Sequence, residues 1–202
     1  MPAVEPSTSK TRWLPPNVWQ TLKIISTNHE HSSETELKDI VHQRDEILKD
    51  RFDHLIETCP VLDIEEGIKV EDFFRLVAEA VAGNLEMSAE AVFELLLERE
   101  QESSTVLNAY LAIPHIVIQG EHCFDILIAR CREGIEFSEA APRVHTVFVL
   151  ICTRDERTFH LISLAAIAQI VQEEGFEEKW MAAKNPQALR DLILLGKRKR
   201  QS

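Results

Sequence analysis

The sequence predicts a layered α/β domain over residues 60–196, preceded by a helical extension. Three observations predict it. Apolar, β-branched runs at Phe124–Cys131 and Val144–Cys152 have the composition of buried strands. Segments with helical periodicity lie on both sides of those runs. Strands interleaved with helices pack as layers, because each sheet face needs a cover.

Residues 1–33 carry Pro2, Pro6, Pro15 and Pro16 among many Ser and Thr residues, so an irregular leader is expected there. Trp13, Leu14, Val18, Trp19 and Leu22 within it suit a strap that docks on the body. Ser33-Glu34-Thr35-Glu36 has capping-box spacing, and Leu37, Val41, Leu48, Phe52 and Leu55 follow at helical intervals. An amphipathic helical extension over 34–59 is therefore expected, stopped by Pro60. Val61–Ile64 reads as a short strand. Val70, Phe73, Phe74, Val77 and Val81 define a helix ending at Gly83, and Ser88 caps another that runs to Gln101. Residues 110–118 are apolar around Pro114. Thr153-Arg154-Asp155-Glu156 reads as a capping box opening a long helix with Leu161, Leu164, Ala165, Ala168 and Val171 inward. Two short helices follow, near 176–184 and 186–195, with Pro186 as a first helical residue and Gly196 as a stop. Lys197–Arg200 begins a basic tail, 197–202, expected to be solvated.

Bulk composition narrows the function. Of 202 residues, 45% are hydrophobic, enough for one sizeable core. Asp and Glu number 34 against 22 Lys and Arg, a net charge of −12. Such a surface repels nucleic acid and suits a basic protein partner. Cys59, Cys123, Cys131 and Cys152 form no Cys-x-x-Cys pair and read as reduced thiols in a cytoplasmic protein. The longest apolar stretch, near 161–171, falls short of the roughly 20 residues that span a bilayer. His29-Glu30-His31 could bind a metal but lies in a polar segment, His122-Cys123 lacks a second pair at ligand spacing, and no Gly-rich phosphate loop is present, so no metal or cofactor is expected.

Residues 99–115 carry the chemistry. Arg99-Glu100 is followed by Ser104-Thr105 and then by Leu111-Ala112-Ile113-Pro114-His115. Downstream come the Val147–Cys152 strand and Phe159-His160-Leu161. This arrangement resembles enzyme IIA domains of the fructose/mannitol and nitrogen-regulatory type, from the bacterial phosphotransferase system. The resemblance implies a layered α/β/α sandwich with a mixed central sheet, here with the helical N-terminal extension. It implies a phosphocarrier in which His115 accepts a phosphoryl group from a histidine phosphocarrier protein, with His160, Arg99, Ser104 and Thr105 supporting the phosphate. Enzyme IIB or a membrane transporter would be a further partner, and the amphipathic extension is compatible with a homodimer. The residue types suit that chemistry: neutral imidazole is nucleophilic near pH 7, and a guanidinium offers a planar fork to phosphoryl oxygens. Pro114 fixes φ and biases Ile113 to extended backbone. Where most members carry glycines, this chain has Val106, Asn108 and Tyr110, and Ile116 is bulkier than usual. A regulatory interaction module that takes no phosphate, such as the cytosolic tail of a transporter, is the alternative.

Overall fold

The computed structural model describes residues 48–200. The expected leader and the first part of the extension lie outside the described residues. The order is α1 (Arg51–Thr58), β1 (Val61–Ile64), β2 (Ile68–Lys69), α2 (Val70–Leu85), α3 (Ala89–Glu102), β3 (Val106–Asn108), β4 (Leu111–Ala112) and β5 (His115–Ile118). The long strands β6 (Phe124–Glu136) and β7 (Val144–Thr153) follow, then a 3₁₀ turn, α4 (Arg157–Val171), α5 (Phe176–Ala182) and α6 (Pro186–Leu194).

One mixed sheet holds all seven strands. Its order is β1-β6-β7-β4-β3, with β2 also on β6 and β5 also on β7. β6 and β7 are antiparallel, while β1 and β2 run parallel to β6, and β4 and β5 run parallel to β7. Side chains alternate between the faces of β7. Val147, Val149 and Ile151 join a core with α2 and α3, whereas Phe148, Leu150 and Cys152 join a core with α1, α4, α5 and α6. Both faces are covered, which is why β6 and β7 read as nearly unbroken apolar runs. The α/β/α sandwich is thus the observed fold.

Several expectations are corrected. The helix foreseen from residue 34 does not run unbroken to residue 58: Leu48–Asp50 is non-helical, and Asp50 caps α1 in a reciprocal box with Asp53. α2 passes through Gly83 and ends at Glu86, which takes the left-handed conformation instead. Thr153 does not cap: its hydroxyl donates to the Cys123 carbonyl and accepts from the Cys123 amide, so the turn Arg154–Glu156 precedes α4 without a side-chain cap. In α4 the buried face is Ser163, Ala166, Ile167, Ile170 and Val171, and Leu161 is exposed. Gly196 does follow the helix end, as expected, and it also serves close packing, because a Cβ there would lie 2.8 Å from Ile170 Cγ1.

The basic tail is docked, not solvated. Arg198 forks onto Asp50 at 2.8 and 2.7 Å, also reaches Asp53 at 2.8 Å, and lies over the Phe52 ring at 4.8 Å. Arg200 binds Asp53 at 3.0 Å. The Arg198 side chain is 1% exposed, so two carboxylates at the start of α1 neutralise a buried guanidinium.

Candidate functional site

Pro114 divides one edge of the sheet into β4 and β5. Its carbonyl still accepts from the Leu150 amide at 2.9 Å, so β5 continues beside β7 with His115 opposite Leu150. Proline needs no ladder donor at this break. His115 projects toward α4, while its neighbour Ile116 turns to the other face and packs with α2 and α3. The bulk of Ile116 therefore fills core, not the site.

Three elements converge on His115. The His160 ring, in the first turn of α4, has its centroid 5.4 Å from that of His115. Arg99, in the last turn of α3, places one terminal nitrogen 3.1 Å from His115 Nε2 and the other 2.9 Å from the Ser103 carbonyl. On the far side of the ring, Nδ1 lies 3.1 Å from the Ile113 carbonyl. A carbonyl only accepts, so Nδ1 carries the proton and the lone pair sits on Nε2, facing the guanidinium. All three side chains are half-buried and reach solvent. A neutral imidazole with its lone pair beside a fixed cation is arranged to attack an anionic electrophile.

The two hydroxyl residues part company. Thr105 is buried, and both its amide and its hydroxyl donate to the Glu100 carboxylate. Ser104 is exposed, and its hydroxyl accepts from the Val106 amide at 3.3 Å. Glu100 is thus a structural member of the motif that sequence reasoning left without a role; its spacing of five from Thr105, across a helix end, was the available signal. The segment without glycines forms the β3–β4 hairpin. Asn108 Oδ1 accepts from the Tyr110 and Leu111 amides at 3.0 and 2.9 Å, an Asx turn that replaces glycine's freedom.

His160 has a further neighbour that the sequence did not announce. Cys152 Sγ lies 3.9 Å from its Nδ1. Burial pushes the Cys152 thiol up, so it stays protonated. Burial, and then the nearby His115, holds His160 below the ordinary histidine value. The unfolded chain therefore binds a proton at this residue before the folded chain does. His160 contributes stability that is complete above about pH 6.5 and is lost as pH falls through that value toward the folded one. Following the ring signals by NMR from pH 8 downward is expected to show His160 titrating below a histidine in a model peptide; a normal or raised midpoint would contradict the burial seen here.

A sizeable hollow lies elsewhere. A cavity of about 820 Å³ among Gly67, Lys69, Asp72, Arg132, Arg143 and His145 lies where β7 begins, whereas His115 pairs near its end. The four cysteines are free, and no helix among the described residues is long and apolar enough to cross a membrane.

A mixed sheet with helices on both faces is the α/β fold of enzyme IIA domains of the phosphotransferase system. The chain belongs to the family described as phosphoenolpyruvate-dependent sugar phosphotransferase system, EIIA 2, which matches residues 60–195. A nitrogen regulatory protein of Bradyrhizobium diazoefficiens is 30% identical over 133 residues, covering 64% of this chain and 87% of that one. The crystal structure of the nitrogen regulatory protein IIA-Ntr from Neisseria meningitidis has a TM-score of 0.62 at 26% identity, covering 69% of this chain and 99% of that one. The complex of the mannitol enzyme IIA with phosphorylated enzyme IIB from Escherichia coli, at 17% identity and a TM-score of 0.52, covers 66% and 92% and shares the fold.

Proposed function

We propose that this chain is a regulatory phosphocarrier of the nitrogen-regulatory enzyme IIA kind, and that Nε2 of His115 accepts a phosphoryl group from a histidine phosphocarrier protein. The observation that carries the reading is the arrangement at the His115 ring: proton on the Ile113 side, lone pair and Arg99 on the other. As the Nε2–P bond forms, the N–P bond of the donor phosphohistidine breaks and the donor ring keeps that electron pair. The proton on Nδ1 stays where it is, and the Ile113 carbonyl supports the positive ring that results. Arg99 exchanges its contact with Nε2 for the phosphoryl oxygens, over which the transferring charge is spread. His160, neutral at pH 7, donates from a ring nitrogen. The exposed hydroxyl of Ser104 can donate too, whereas Thr105 supports the site through Glu100.

The net charge of −12 suits a basic donor protein. Onward partners of this reading are an enzyme IIB domain, as in the mannitol complex, or a membrane transporter held under control. This reading expects a cytoplasmic chain, within reach of a phosphocarrier chain. Phosphorus-31 and nitrogen-15 NMR after incubation with phosphoenolpyruvate and the donor chain tests it. The expected product is one acid-labile phosphoryl group on His115 Nε2. A chain that takes up no phosphoryl group, or takes it on another residue, overturns the reading and leaves the interaction module without phosphate.

A further inference from the structure

We propose that Arg51, on the helix that precedes the family-matched segment, is the positioning residue for His160. Helix α1 ends at Thr58, ahead of residue 60 where the family match begins. From it Arg51 reaches across to the start of α4. Its two terminal nitrogens bind the two oxygens of Glu156 at 2.8 and 3.0 Å, and its guanidinium carbon sits 4.1 Å from the centre of the Phe159 ring. One planar group thus holds residues 156 and 159 together by a fork and a stacked face.

His160 is the next residue. Its polar contact is the weak 3.9 Å approach of Cys152 Sγ, and its ring otherwise lies beside those of His115 and Phe124. Its orientation depends on the turn it belongs to. That turn has no side-chain cap of its own. Phe159 in turn packs edge-on against Phe124, centroids 4.7 Å apart, and Phe124 lies 6.5 Å from the His160 ring. Arg51 is anchored in its own right: α1 is closed by the Asp50–Asp53 box and held by Arg198 and Arg200. The path therefore runs from a fixed helix, through one guanidinium, to the backbone that aims His160. Glu156 is 13% exposed and Arg51 51% exposed, so the pair sits at the surface rim, where its loss leaves the two cores intact.

Two readouts test this, and only the second rests on the phosphocarrier reading. First, the imidazole signals of unphosphorylated protein are followed by NMR at pH 8. In Arg51→Ala the His160 ring signals are expected to move while the circular-dichroism melt stays close to wild type. Glu156→Gln, which leaves α1 docked, gives the same displacement. Arg51→Lys, which keeps the charge and loses the planar fork, resembles the alanine variant. Second, phosphoryl uptake from the donor chain is expected to slow on the order of tenfold in Arg51→Ala, because small misplacements of a positioned group are costly in transfer steps. Unchanged His160 signals in Arg51→Ala, or full restoration by Arg51→Lys, overturn the inference. A wild-type chain that accepts no phosphoryl group removes the kinetic readout alone, and the ring signals still decide the role of Arg51.

Discussion

Replacing His115 by alanine is expected to bring phosphoryl uptake from the donor chain down to background. No other imidazole in the site is placed to substitute. His160 is held below the ordinary histidine value by burial and by His115 itself, and its Nδ1 faces the Cys152 thiol, not the guanidinium. Arg99 directs its two terminal nitrogens to His115 Nε2 and the Ser103 carbonyl, not to His160. The loss should be chemical and not structural. His115 is half-buried, and its removal deletes two hydrogen bonds at the end of a strand, a cost of about 1–2 kcal/mol. A companion variant, Arg99→Ala, keeps the acceptor and removes the cation, so uptake persists but slows on the order of a hundredfold, the usual worth of a preorganised donor on developing charge. Autoradiography for uptake and a thermal melt for folding separate the two effects. Labelling of His115→Ala at the wild-type level would end the assignment.

The second large effect is on stability. Arg198→Ala is expected to cost about 3–5 kcal/mol, the range for removing one partner of a buried ion pair. Asp50 and Asp53 lie at the start of α1 with side chains 8% and 1% exposed. Without Arg198, Asp53 keeps Arg200, but the carboxylate of Asp50 loses both bonds of its fork. The Phe52 ring also loses the guanidinium above it. Arg198→Met combined with Asp53→Leu should cost less than the sum of the single changes, because both charges leave together. Urea unfolding midpoints decide it, and a shift worth less than about 1 kcal/mol for Arg198→Ala would show that the tail is not held as described.

How much of this was legible in the sequence depends on the range of each interaction. The central strands were plain, because both faces of β6 and β7 are buried and their composition says so without reference to anything distant. The strand-like character around Pro114 was equally local. The face of α4 was not. That helix carries apolar residues on most sides, so Leu161, Leu164 and Ala165 make as good a stripe as Ala166, Ile167 and Ile170, and only the position of the sheet decides between them. The tail was misread for a similar reason. Four successive basic residues look solvated until Asp50 and Asp53 are seen beside them, about 150 residues earlier in the chain. At the candidate site, His115 and Arg99 stood within one continuous motif. His160 entered through family resemblance, since 45 positions of sequence carry no sign of proximity. Cys152 and the Ile113 carbonyl that fixes the tautomer had no signal, being a core thiol and a backbone atom.

The ionic clasp between Arg198 and Asp50 has an architectural corollary. It brings the chain's entry into this folded unit and its exit to the same spot on the surface. A polypeptide with such neighbouring ends can be grafted within a loop of a host protein with little distortion. Its ends can also be joined by a short peptide and the backbone reopened at an exposed turn such as Gln119–His122, leaving the sandwich wound as before.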